Sequence, residues 1–449
     1  MKKVLSVLLA LVMMLSLSVV AFADATVSTV GDLRDALAAG GKVTLGGDIV
    51  IEDVIAGSLP CGLYVPVDVT VTLDLAGHSI SQTYAQTGQY AMILNDGNLT
   101  ITDSGNGGAI TYTDSGNGGE YISDTIYNRS VIEVKGGTIE NLSSATVASN
   151  GYPHALDNYS GIRDVSATIS GGTIYCAEYS AIRMFCVSAS NTCDLVINEG
   201  ATIKGAVDMQ NGTKVAALGS LTINGGNFET TKNKNNIRFA NWNGGAQEYG
   251  ITASIEGGTF DGKLTTQYVP AAANWDKEIV SGGTFTNEEF AEELVETYQQ
   301  PESTIIVGND AVTKADDGTV SSECAHNGDW EWGCNEDIHV KYCLICEEFF
   351  GDEEPHEFGE WTVTKEPTKI HKGERVHTCE ICDYEEVETL SRVSGEDEGH
   401  LVIPESQKPA EDKDTGKANP ATGSVEFVNV AIALGTVSLA AAAAVVLKK

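Results

Sequence analysis

The sequence predicts an all-β chain, a parallel β-helix followed by a small metal-stapled module. Three observations carry this. A Gly-Gly motif flanked by alternating apolar residues recurs between residues 41 and 285. Glycine reaches 48 of 449 residues with no collagen-like period, which calls for many tight turns. Six of the ten cysteines crowd between Cys324 and Cys382, four of them as CxxC pairs.

The repeat reads KVTLGGDI, TLDLAGHSI, ITDSGNGGAI, IEVKGGTI, ATISGGTI, LVINEGATI, LTINGGNF, ASIEGGTF and IVSGGTF. Aligned on Gly47, Gly77, Gly108, Gly137, Gly172, Gly200, Gly226, Gly258 and Gly283, the units lie 25 to 35 residues apart. They alternate with period 2 in β-branched residues and break at glycine, so they are strands rather than helices. A lone unit cannot bury its inner face, and stacking one turn on the next solves that. Such a stack needs its ends covered. STVGDLRDALAAGG, with Val30, Leu33 and Leu37 at helical spacing, is the expected first cap. NEEFAEELVETY, with Phe290, Leu294 and Tyr298, is the expected second.

The stretches DLRDALAAGGKVTLGGDI and VTLDLAGHSI resemble the pectin-lyase-like superfamily over about residues 25–300. The resemblance implies a right-handed parallel β-helix and says little about activity, because that fold hosts lyases, hydrolases and adhesins alike. A lyase or hydrolase needs clustered carboxylates or a basic residue beside a cation. Asp74 and Asp103 are single acids beside glycine turns, and Asp74 reads as a turn cap. No catalytic residue is assigned.

Between the glycine motifs lies a second strand, DTIYN, SGIRD, SAIRM, GAVDM and NNIRF. With Ile126, Ile162, Ile182, Val207 and Ile237 inward, Tyr127, Arg163, Arg183, Asp208 and Arg238 face outward. Stacked arginines repel and need a partner. That partner is either a local carboxylate such as Asp164 or Asp208, or an anionic glycan held by bidentate guanidinium contacts. Trp242 and Tyr249 follow Arg238 and could stack on sugar rings, so Arg163, Arg183, Arg238, Trp242 and Tyr249 form the expected ligand-binding set. Cys176, Cys186 and Cys193 in these rungs read as buried free thiols, with a Cys186–Cys193 bridge as the alternative.

From Cys324 the texture changes to a zinc-ribbon-like module. The pairs Cys343/Cys346 and Cys379/Cys382 are turns that let two sulfurs reach one tetrahedral zinc ion. The expected ligand sets are Cys324, His326, Cys343 and Cys346 in one site, and His356, His371 or His377, Cys379 and Cys382 in the other, with His339 and Cys334 as spares. HEFGEWTVTKEPT…CEICDYEE resembles a small repeat of Firmicutes surface proteins, in which Lys369 stands where that repeat has a cysteine. Closed CxxC sites point to a structural role for zinc, and disulfides are the alternative.

The ends carry address signals. MKKVLSVLLALVMMLSLSVVAFADA has a basic start, an apolar stretch and Ala21-Phe22-Ala23, which reads as a secretory leader over 1–23. Asn419, Pro420, Ala421, Thr422 and Gly423, followed by the apolar Val430–Leu447 and Lys448-Lys449, resemble the sorting signal of Gram-positive sortase substrates. That resemblance implies cleavage between Thr422 and Gly423, with sortase and peptidoglycan as partners. The expected organisation is leader 1–23, β-helix with helical caps 24–300, linker 301–322, Cys/His module 323–392, disordered wall-spanning spacer 393–418 and sorting signal 419–449. A net charge of −36 argues against nucleic-acid binding. The reading is a cell-wall-anchored adhesin or glycan-binding β-helix displayed outside the cell. Its alternative is a polysaccharide lyase or glycoside hydrolase on the same fold.

Overall fold

The computed structural model describes residues 24–85, 88–114, 123–144, 152–242, 249–269 and 275–394. The expected leader, the sorting motif Asn419–Gly423, the apolar tail and most of the spacer lie outside the described residues. Among the described residues no helix is long and apolar enough to cross a membrane. The chain divides into two compact units after Glu323.

The first unit is a parallel β-solenoid. One wall is a nine-stranded parallel sheet running from Ala25–Val27 through Gly41–Leu45, Thr70–Asp74, Asn98–Thr102, Val131–Val134, Val165–Ile169, Cys193–Ile197 and Gly219–Ile223 to Ile251–Ile255. Its register places Leu73, Ile101, Val134, Ile169, Ile197, Ile223 and Ile255 in one buried column. This is the inward half of the period-2 pattern, repeated turn after turn.

Residues two or three positions after each glycine corner form a second column. Ile49, Ile80, Ile110, Ile139, Ile174, Ile203, Phe228, Phe260 and Phe285 pair strand to strand. The three phenylalanines stack with ring centroids 4.5 and 4.8 Å apart, within the range of favourable aromatic pairs. The corner itself demands glycine. At Gly172 φ is 77°, and a Cβ would lie 2.4 Å from the carbonyl oxygen of Gly137 on the turn below. One unit departs from the alignment, because Ala201 rather than Gly200 pairs with Gly172. Asp74 and Asp103 are turn caps. Asp74 Oδ1 accepts from the N–H groups of Ala76 and Ser104, and Asp103 accepts from those of Gly77 and Gly108.

A third column, Leu63, Ile93, Ile126, Leu156, Ile182, Val207, Ile237 and Leu264, completes the interior. Beside it the buried amides of Asn95, Asn128 and Asn158 form a ladder, each donating to the next at 2.7 and 2.9 Å. This satisfies polar groups that would otherwise be costly to bury. Cys61, Cys176, Cys186 and Cys193 are buried free thiols.

Both caps form. Helix α1 (Val30–Ala39) starts at Thr29, whose side chain accepts from the N–H of Asp32, and it buries Leu33 and Leu37. Phe290, Leu294 and Tyr298 are buried in a short irregular helical run over 288–298. The expected linker 301–322 is instead structured. Ser303–Val307 adds in parallel to Thr284–Phe285, then turns into an antiparallel hairpin with Asp310–Lys314. Its β-branched alternation, which buries Ile305 and Val307, is the physical reason.

The second unit holds two three-stranded antiparallel sheets, Trp330–Cys334, Ile338–Cys343 and Phe349–Pro355, then Thr362–Lys365, Gly373–Thr378 and Glu385–Leu390.

Candidate functional site

On the outer side of the third column the register runs Tyr127, Asp157, Arg183, Asp208, Arg238, Thr265. The expected lane of stacked arginines is therefore an alternating ladder of acid and base. The strand beneath Ser180–Cys186 is Pro153–Tyr159, not SGIRD. Leu156 takes the inward place expected of Ile162, which is 52% exposed. Arg163 lies on the following turn and donates to the carbonyl of Asp96 at 2.7 Å. Of the two partners the sequence allowed, the carboxylate is present. Arg183 Nε donates to Asp157 Oδ1 at 2.8 Å and its NH2 to Oδ2. Arg238 Nε donates to Asp208 Oδ1 at 3.0 Å, and Arg238 also reaches Gln267 and the hydroxyl of Tyr179. Burial works against charge on Arg183, but Asp157 outweighs it and holds the guanidinium protonated. Both arginines are over 90% buried, so neither is a free anion receptor.

The same outer face carries residues that the sequence reading missed. Asp124 and His154 pair across adjacent strands, with His154 Nδ1 2.9 Å from Asp124 Oδ1 and both side chains fully buried. Burial first, then the charge of Asp157, pushes the Asp124 carboxyl well above its ordinary range. Burial, then Arg183, holds the His154 imidazole well below its own. The pairing follows from aligning PHALDNY with SDTIYN, but SGIRD is the closer match to SAIRM in sequence.

At the end of the ladder the surface opens onto two aromatic rings. Trp242 is 39% exposed and Tyr268 63%, with centroids 5.4 Å apart. The Arg238 guanidinium lies 5.6 Å from the Trp242 ring centre, a cation–π distance. Tyr268 has φ of 59°, a strained backbone for a bulky residue and a frequent mark of functional positions. Tyr249, expected to join this platform, is instead core. It is 4% exposed, donates to the Met209 carbonyl at 2.7 Å and packs edge-on to Phe239.

The second unit contains two clusters of four donors, each within 4.8 Å of one another. The first is the expected set, Cys324, His326, Cys343 and Cys346. Its Cys324 and Cys343 sulfurs are 3.9 Å apart, and Cys346 is 3.5 Å from His326 Nδ1. Two sulfurs on one tetrahedral zinc, each about 2.3 Å from it, stand about 3.8 Å apart. A disulfide would need about 2.05 Å, and every cysteine here is free. The backbone N–H of Cys346, followed by His326, lowers the Cys343 thiol to about 6.

The second cluster is His339, His356, Cys379 and Cys382. Cys382 is 3.4 Å from His356 Nδ1 and Cys379 is 3.9 Å from His339 Nδ1. Asn335 accepts from His356 Nε2 at 2.8 Å, which frees Nδ1 as a ligand. Burial raises the Cys379 thiol, but the N–H groups of Cys382 and Ile381 outweigh it and bring it down to about 6. His371 and His377 do not join. His371 is exposed in a turn closed by Thr368. His377 bonds Glu386 at 2.7 Å, with its ring between Phe358 and Trp361. The two clusters are interlocked along the chain, since His339 of the second lies between His326 and Cys343 of the first.

No family model, curated protein or solved structure matches the chain, so its function is argued from its own residues.

Proposed function

We propose that this is an exported, wall-anchored surface protein whose solenoid, right-handed and of pectin-lyase-like type, binds polysaccharide. The carrying observation is the exposed Trp242–Tyr268 pair backed by Arg238. Aromatic faces stack on the apolar faces of sugars, and the exposed edge of such a platform suits a chain lying across it. Gln267, bonded to Arg238, supplies an amide beside it. The leader and the Asn419–Gly423 motif support export and covalent attachment to peptidoglycan by a sortase. Zinc in the Cys/His unit acts as a structural staple, because thiolates and imidazoles at these distances close a tetrahedral shell. The lyase or hydrolase alternative would draw on Asp124 and Asp157, but both are fully buried, out of reach of a polymer as packed.

The test is size-exclusion chromatography of a polysaccharide panel with the purified protein. Glycans that co-elute at full length support binding; shortened glycans would replace it with the enzymatic alternative.

A further inference from the structure

We infer that Asp124, His154 and Asp157 form a third metal site, buried in the solenoid wall and free of thiols. Each offers one oxygen or nitrogen within 4.8 Å of the others. All three side chains are fully buried. Among the described residues the second oxygen of Asp124 and Nε2 of His154 have no hydrogen-bond partner, whereas buried polar atoms are normally satisfied.

The charges of the ladder sharpen the point. Asp157 is matched by Arg183 and Asp208 by Arg238. Asp124 has the His154 imidazole and the Asp157 carboxylate beside it, and among the described residues no arginine or lysine pairs with it. A cation held between the two carboxylates and His154 would balance this charge and take up the free lone pair of Asp124 Oδ2. Asp157 can serve Arg183 and an ion together, because each carboxylate oxygen has more than one lone-pair direction. Two carboxylates and one imidazole suit manganese or zinc.

The experiment refolds the full-length protein in excess zinc, manganese or cobalt, removes free metal and counts the ions per chain by mass spectrometry. Cobalt spectra separate the classes, since thiolate ligands add intense charge-transfer bands and oxygen and nitrogen ligands do not. The inference predicts one ion per chain with no thiolate signature, lost in Asp124→Asn and in His154→Gln while the thiolate bands stay unchanged. The wild-type count needs no variant to fold. Finding every ion accounted for by thiolate bands would overturn the site, and so would an unchanged thiol-free ion in folded Asp124→Asn.

Discussion

His339 Nδ1 lies 3.9 Å from Cys379 Sγ although the two residues are 40 apart in the chain. His339 sits on Ile338–Cys343, the strand that ends in a ligand of the other cluster. One strand therefore serves both sites, and filling either orders part of the other.

His339→Ala should accordingly weaken the second site by more than the roughly 10–100-fold that outer-shell partners cost, while His371→Ala leaves it unchanged. Competition titration with a zinc chelator measures both. Cys343 and Cys379, lowered to about 6, stay thiolate at neutral pH. Bound metal should be released only in acid below that value, where protons outcompete the ion for the sulfurs.

Breaking the buried ladder at one member should be severe. Asp208→Ala strands the Arg238 guanidinium and should cost about 3–5 kcal/mol, whereas Asp208→Leu with Arg238→Met should recover most of it. Thermal unfolding of the three proteins decides. Equal losses in the single and double variants would show that the pair matters for something besides its own charge balance.

The Asp74 turn should show in acid. Burial raises its carboxyl, but N–H groups from Ser104 and Ala76 and the nearby Lys42 outweigh this and hold it below the ordinary range. A depressed folded value gives stability that is present above the unfolded value of about 3.9 and fades as pH falls through the folded one. Wild type should exceed Asp74→Asn in denaturant midpoint at pH 7 and converge with it in strong acid.

Much of the solenoid was legible because its signal is periodic. Phe228, Phe260 and Phe285 follow a glycine at one fixed offset, and that offset is the register of the stack. The first cysteine site was legible for a related reason, its ligands lying close in sequence on either side of one strand. What failed was pairing by likeness. Ile162-Arg163 imitates Ile182-Arg183, which makes a turn resemble a rung in sequence and hides the role of Asp157. His339 was only a spare because nothing local links it to Cys379. Tyr268 gave no sequence signal, since its exposure and positive φ are properties of the folded turn.

The central claim rests on the aromatic pair, and the most direct measurement is equilibrium binding of any polysaccharide that co-elutes, measured by calorimetry. Each stacked ring contributes on the order of 1 kcal/mol, so Trp242→Ala and Tyr268→Ala should each weaken binding about fivefold or more, with folding intact by circular dichroism. Undiminished binding in a folded double variant would contradict the account and move the ligand elsewhere on the solenoid.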